Sequence, residues 1–440
     1  VIEREIEWSA NLTGACGAFA AEVEQWMAEC MAEEDLHALS DSHDQGTYTT
    51  AWEPLLNAGR RPDALTFLRA FRDAIRAHFE ATGAWHHGYW KKQEAHHGTE
   101  HFELFLGTLY RLDPADTETA RQILDAAEHI GNWVDETPSW FDWNTGLFRS
   151  MYLGTEHVGD DPRTALNVPD HLRLVNVCLL AHDASRQERY LDLAARHGGL
   201  WADALNDDND IPAGLSPEGP VYSLARGGDT AYHGFAGMAG DLQLQIDRAE
   251  NLFASGAVNT MVALWQKTAE DRFRFAAERL LETLATQMAQ PDAGCAAPVF
   301  RLYRATTQDD RYDRAIADAC AGLQPRHIAR LGIEPAKRSG PRLPGLGQRN
   351  DKPAWFEDRK PRRHNPLTLA LQAEWTDDRD LATAAVDIAR TAFALGRETL
   401  HGNRHHGCAA NTDSALARGH GRENNAGLVT AVLAPMIKMA

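Results

Sequence analysis

One short stretch recurs along the chain and constrains the fold more than any other feature. It reads Leu-Ala-His-Asp-Ala-Ser-Arg-Gln-Glu-Arg-Tyr from Leu180 to Tyr190 and Trp-Gln-Lys-Thr-Ala-Glu-Asp-Arg-Phe from Trp265 to Phe273. It returns as Tyr-Arg-Ala-Thr-Thr-Gln-Asp-Asp-Arg-Tyr from Tyr303 to Tyr312 and Glu-Trp-Thr-Asp-Asp-Arg-Asp-Leu from Glu374 to Leu381, with weaker copies after Leu56 and Leu109. Each copy is an apolar helix end, a polar turn and the start of a second helix, and its Ser, Thr or Asp is the expected N-cap of that second helix. A chain punctuated this way builds helical hairpins.

The segments entering these turns, such as Leu172 to Leu180 and Val258 to Leu264, are apolar on all sides and suit an inner layer. The segments leaving them are amphipathic. In Phe273 to Leu284, the residues Phe273, Ala276, Ala277, Leu280, Leu281 and Leu284 recur at spacings of three and four. Inner helices are expected near 48–57, 102–111, 170–182, 256–267, 297–305, 365–375 and 425–438, and strand-like alternation is almost absent. The expected fold is all-α, an α/α toroid of about six to seven hairpins forming a single domain over 1–440, with an open α-solenoid as the alternative. In a toroid the short turns share one rim. The long connections 134–169, 206–254 and 323–364 share the other, and loops of that length in a compact protein usually carry function.

Composition narrows the function. Hydrophobic residues at 43% and charged residues at 24% are globular values. A formal charge of -19 repels phosphate, so neither nucleic acid nor a membrane is an expected partner. The cysteines Cys16, Cys30, Cys178, Cys295, Cys320 and Cys408 show no CxxC spacing and read as small buried residues. The sequence starts at Val1, which fits a mature secreted or periplasmic protein, though a cytoplasmic one fits too.

The long-loop segments are rich in His, Tyr, Trp, Arg and Asn. They include Ser42 to Tyr48, Trp85 to His101, Trp140 to Tyr152, Asn167 to Arg173, Pro217 to His233, and Gly402 to Gly407 leading to Gly419 to Asn425. The doublets His96-His97 and His405-His406 supply acid–base groups. Trp85, Trp90, Trp140 and Trp143 suit either core packing or stacking on a sugar ring. Between Lys337 and Arg363 lies a basic stretch that includes Arg359, Arg362 and Arg363 and would draw in a polyanion. His97-Gly98-Thr99-Glu100-His101 matches H-x-x-E-H, so His97, Glu100 and His101 form an alternative zinc site, although no cofactor is required.

With these features the chain resembles the α/α-toroid polysaccharide lyases, the group that includes alginate and glucuronan lyases, and more distantly the unsaturated-glucuronyl hydrolases. The resemblance is architectural and spans nearly the whole chain. It implies cleavage of an anionic, uronate-containing polysaccharide by β-elimination: a Tyr or His removes the C5 proton, Asn, Arg or His neutralises the carboxylate, and an acid protonates O4. Residues of the types implied for proton transfer are His405, His406, Tyr222, Tyr232, His97, His101 and Tyr48; those for substrate binding are His420, Arg422, Asn424, Asn425, Arg173, Trp90, Arg359, Arg362 and Arg363. The chain departs from the Asn-His doublet of some members, having only His364-Asn365 in reversed order. Two other readings stand beside elimination. A glycoside hydrolase would use two carboxylates drawn from Asp44, Glu100, Asp142, Asp170 and Glu218, and a non-catalytic helical scaffold would bind carbohydrate without an essential His or Tyr.

Overall fold

The computed structural model describes residues 2–207, 210–222, 245–286, 288, 296–333, 366–399 and 429–440. It is mostly helical. The chain forms α1 (Leu12–Glu33), a 3₁₀ segment Thr47–Trp52 leading into α2 (Glu53–Asn57), α3 (Asp63–Ala81) and α4 (Ala95–Glu100). A π-helical segment, His101–Leu106, joins α4 to α5 (Gly107–Leu112), and α6 (Thr117–Ile130), α7 (His171–Ser185) and α8 (Glu188–Asn206) follow. Then come α9 (Gln245–Ala254), α10 (Ala257–Thr268), α11 (Asp271–Ala285), α12 (Ala297–Thr307) and α13 (Asp313–Cys320). The last described helices are α14 (Pro366–Thr376), α15 (Arg379–Thr399) and α16 (Leu433–Met439).

The recurring sequence is a recurring turn. Arg186, Ala269, Gln308 and Asp377 occupy equivalent places in the four copies, and each is left-handed, with φ of 60°, 56°, 60° and 53°. That one residue reverses the chain. The amides of Arg186, Ala269 and Gln308 donate back to His182, Trp265 and Arg304, closing the ends of α7, α10 and α12. In the fourth copy Asp378 caps α15 as expected, accepting from the Leu381 amide at 2.9 Å, but the hydroxyl before the left-handed residue has a different job. Ser185, Thr268 and Thr307 each donate at 2.8 Å to the carbonyl four residues earlier and accept at 3.2 Å from the amide two residues later. The hydroxyl therefore sits on the last turn of the entering helix and bridges the reversal.

Entering and leaving helices differ as their sequences require. In α7, Leu172, Leu174, Val175, Val177, Cys178 and Leu179 are all buried, so the helix has no watery face. In α11 the buried set includes Phe273, Ala276, Ala277, Leu280, Leu281 and Leu284, a single stripe. Pairs α7–α8, α10–α11 and α14–α15 pack together, and α8 packs on α11. Helix α1 packs on α15, α16 packs on α1 and α14, and strand Ile2–Glu5 pairs antiparallel with Arg330–Ile333. Early and late parts of the chain thus lie against each other. Cys16, Cys30 and Cys178 are buried free thiols, and Cys320 is partly buried.

The described parts of the long connections carry short two-stranded ribbons. Phe141–Asp142 pairs with Leu147–Phe148, Gln93–Glu94 with Tyr152–Leu153, and Gly214–Ser216 with Gly219–Val221. Gly154 lies on the Lys91 carbonyl, where a Cβ would come within 2.1 Å of the oxygen, so only glycine lets the chain just after strand Tyr152–Leu153 lie against the segment before α4. Among the described residues no helix is long and apolar enough to cross a membrane.

Left-handed backbone costs a non-glycine residue about 1–2 kcal/mol. Ala269→Gly and Gln308→Gly are therefore expected to leave stability unchanged or raise it by up to about 1 kcal/mol, net of the chain entropy glycine adds. Ala70→Gly, exposed inside α3, should lower it by about 1 kcal/mol. Urea melts of the three variants compare them directly.

Candidate functional site

The starts of α4, α7 and α10 bring polar side chains into one cluster, joined by the Ser42–Tyr48 turn. Carboxylates at helix starts are favoured by the exposed amides there, and Asp170 occupies that position on α7. Asp44, Glu94, Glu100 and Asp170 are buried.

His96 is the hub. Its Nδ1 lies 3.2 Å from Asp170 Oδ2 and its Nε2 lies 3.3 Å from Glu100 Oε1, so the ring bridges two carboxylates. Burial opposes its charge, but Asp170 and Glu100 outweigh burial and raise the imidazole to about 10. For Asp170 burial likewise opposes ionisation, yet His96, Arg173 and the Ser255 hydroxyl hold the carboxyl well below the usual range. Ser255 Oγ donates to Asp170 Oδ1 at 2.7 Å.

Two further imidazoles flank the hub. His43 Nε2 meets the other oxygen of Glu100 at 3.1 Å. Burial opposes its charge, while Glu100 and Asp44 overcome it and raise its pKa. His97 Nδ1 lies 2.9 Å from Glu94 Oε1. Its pKa is pushed well below the ordinary value by burial, then by His43 and His96 nearby. The His43 and His97 rings lie 4.0 Å apart, and the His97 side chain keeps 18% of its surface open.

Beneath this layer sits a buried ion pair. Arg173 Nε donates to Glu103 Oε2 at 2.8 Å, and Asn176 donates to Glu103 Oε1 at 2.6 Å. Thr260 Oγ1 on α10 donates to Asn176 Oδ1 at 2.6 Å. Burial raises the Glu103 carboxyl against the pull of Arg173 and Asn176.

Several residues singled out in the sequence lie elsewhere. Tyr48 is fully buried among Trp26, Trp52 and Phe71, with its hydroxyl donating to Glu34 at 3.1 Å. Trp90 packs in the core against Phe79 and Trp85, with ring centroids at 4.6 and 5.6 Å, rather than on an open surface. Trp85 and Trp140 are buried too, and Trp143 is exposed. Arg173 belongs to the cluster but is buried, with its Nε on Glu103 and its Nη1 3.4 Å from His96 Nδ1, so it has no surface to offer a substrate.

The H-x-x-E-H motif does not assemble as a zinc site. His101 opens the π-helical segment and points into an aromatic pocket, its ring 5.2 Å from those of Trp85 and Phe102 and 5.5 Å from that of Phe105. Burial, then Arg76, lowers it to about 3. His97 turns the other way, toward Glu94 and His43. Only Glu100 of the motif keeps a ligand-like setting.

Of the carboxylates proposed for hydrolysis, Asp44, Glu100 and Asp170 converge here. Asp142 instead takes the Asn144 amide at 3.0 Å in a turn, and Glu218 is exposed in another. Tyr222 follows strand Gly219–Val221, whose hairpin bridges Asn167 through Leu215, and its carbonyl accepts from Arg248 at 2.8 Å. His405, His406, Tyr232, His420, Arg422, Asn424, Asn425, Arg359, Arg362 and Arg363 lie outside the described residues. Glu94, Glu103, Asn176 and Ser255 were not singled out in the sequence. Glu94 carried a readable signal three positions before His97; the others did not, because their partners are remote in the chain.

Compared with protein-family models, curated proteins and solved structures, the chain gives no match.

Arg173→Met leaves Glu103 inside the protein without its counter-charge. Removing one partner of such a pair typically costs about 3–5 kcal/mol, and Glu103→Leu added to Arg173→Met should recover most of that. Urea unfolding measures both; a loss under about 1 kcal/mol in the single variant would mean that water reaches the pair.

Proposed function

We propose that the hairpins close into an α/α toroid and that the chain is a polysaccharide lyase, cleaving uronate-containing polymers by β-elimination at the loop-side rim. The packing of α1 on α15, of α16 on α1 and α14, and of strand Ile2–Glu5 on Arg330–Ile333 supports ring closure, since an open solenoid keeps its ends apart.

The observation that carries the enzymatic reading is the His97–Glu94 dyad at the partly open edge of the cluster. A carboxylate against Nδ1 fixes the imidazole and places the basic lone pair on Nε2, the arrangement a general base needs. In this reading Nε2 of His97 takes the C5 proton of the uronate, the electron pair forms the C4–C5 double bond, and the O4 leaving group departs with a proton. Tyr222 is the candidate acid in this reading. His405, His406 and Tyr232 are further candidates, and His420, Arg422, Asn424, Asn425 and the basic stretch around Arg359, Arg362 and Arg363 complete the substrate contacts.

The convergence of Asp44, Glu100 and Asp170 favours a second reading. Carboxylates grouped around His43 and His96 also suit a glycoside hydrolase, in which one acid protonates the leaving group and another activates water or attacks the sugar.

Incubation with a panel of uronate polymers separates the two. Elimination makes a 4,5-unsaturated uronate that absorbs at the ultraviolet edge, and His97→Ala is expected to slow its appearance by roughly a hundredfold or more. New reducing ends without the absorbance, and with label taken up from ¹⁸O-water, would establish the hydrolase. A near-normal rate in His97→Ala would remove His97 as the base.

A further inference from the structure

The atoms that H-x-x-E-H would offer a metal are scattered, but Glu100 has gained different neighbours. One nitrogen of His43 and one oxygen each of Asp44 and Glu100 lie within 4.8 Å of one another. We infer that His43, Asp44 and Glu100 hold a divalent first-row cation of the Mn(II)–Zn(II) class.

Metal–ligand bonds of about 2.0–2.2 Å set donor atoms roughly 3–4 Å apart around an ion. His43 Nε2 and Glu100 Oε2 are already at 3.1 Å, so small side-chain rotations complete the set. Both carboxylates are almost fully buried, at 1% for Asp44 and 2% for Glu100. Two like charges so close inside a protein repel strongly, and a dication between them turns that repulsion into attraction. The wider cluster leans the same way. Asp44, Glu94, Glu100, Glu103 and Asp170 outnumber Arg173 and the imidazoles His43 and His96 even when both rings are charged.

The donors are also held from behind, as metal ligands usually are. Glu100 offers Oε2 to His43 because its Oε1 is held by His96, which is held by Asp170, which is held by Ser255. Ser42 Oγ donates to Asp44 Oδ1, and Thr47 donates to the Asp44 carbonyl through both its amide, at 2.9 Å, and its hydroxyl, at 2.8 Å. Gly46 presses this turn onto the π-helical segment so closely that a Cβ would come within 2.7 Å of the Phe105 ring. One imidazole nitrogen with two carboxylate oxygens, and no thiolate, selects Mn(II) or Zn(II) over softer ions, and the imidazole disfavours Ca(II).

If the chain is a uronate lyase, the cation supplies the positive charge that faces the substrate carboxylate. That role rests on the functional reading; the binding site does not.

Isothermal titration of the chelator-treated full chain with Zn(II) or Mn(II) alone tests the assignment. One saturable equivalent is expected. Asp44→Asn and Glu100→Gln should each weaken binding by roughly a hundredfold or more, and His97→Ala should change it by no more than about threefold. His43→Asn, at the most open ligand, repeats the test with the smallest disturbance to the core, and near-ultraviolet dichroism of each metal-free variant reports its fold. No saturable binding by the natural chain, or undiminished binding in folded Asp44→Asn, Glu100→Gln and His43→Asn, overturns the assignment. Metal binding without β-elimination leaves it standing and removes only the lyase reading.

Discussion

The polar cluster depends on one ring, the His96 imidazole held between Glu100 and Asp170. Burying carboxylates is costly unless each finds a positive or hydrogen-bonding partner, and this ring serves two at once. Because His96 lies in the first turn of α4, Asp170 begins α7 and Ser255 lies just before α10, the bridge also ties the starts of these three helices together. The orientation of Glu100 then sets the place of His43, and the crowding of His43 and His96 keeps His97 from taking a proton of its own. The charges of the cluster and the packing of α4, α7 and α10 are therefore one arrangement.

Much of the fold was legible because its punctuation is local. Ser185-Arg186, Thr268-Ala269, Thr307-Gln308 and Thr376-Asp377 repeat a hydroxyl followed by a left-handed residue, and that pattern survives where the helices around it diverge. The role of the hydroxyl is not legible locally, since a Ser or Thr between two helices suits either the C-terminus of one or the N-cap of the next, and only the carbonyl four residues back decides it. The π-helical turn at His101 to Leu106 carries no comparable signal. His101, at its first position, packs into the aromatic pocket of Trp85, Phe102 and Phe105 while His97 faces Glu94 and His43, so the motif's two imidazoles serve different surroundings.

The site was legible only where function and sequence neighbourhood coincide. The doublet His96-His97 and the His43-Asp44 pair stand out because several polar, catalytically useful side chains adjoin at the start of an apolar helix. Tyr48 and Trp90 share that neighbourhood and yet belong to the core, since a loop that packs back on the helices buries its aromatics as any core does. Arg173 looked like a substrate contact from its place at the start of α7. It is instead the counter-charge of Glu103, a partner seventy positions earlier that no local pattern reveals.

Nitrogen-15 chemical shifts of the histidine rings in chelator-treated protein show whether two buried carboxylates hold His96 as an imidazolium beside a neutral His97. His96 is expected to be doubly protonated from pH 6 until the pH approaches about 10, and His97 neutral and protonated on Nδ1 over the same range. A His96 ring that loses its proton near the ordinary histidine value, around 6.5, would contradict it.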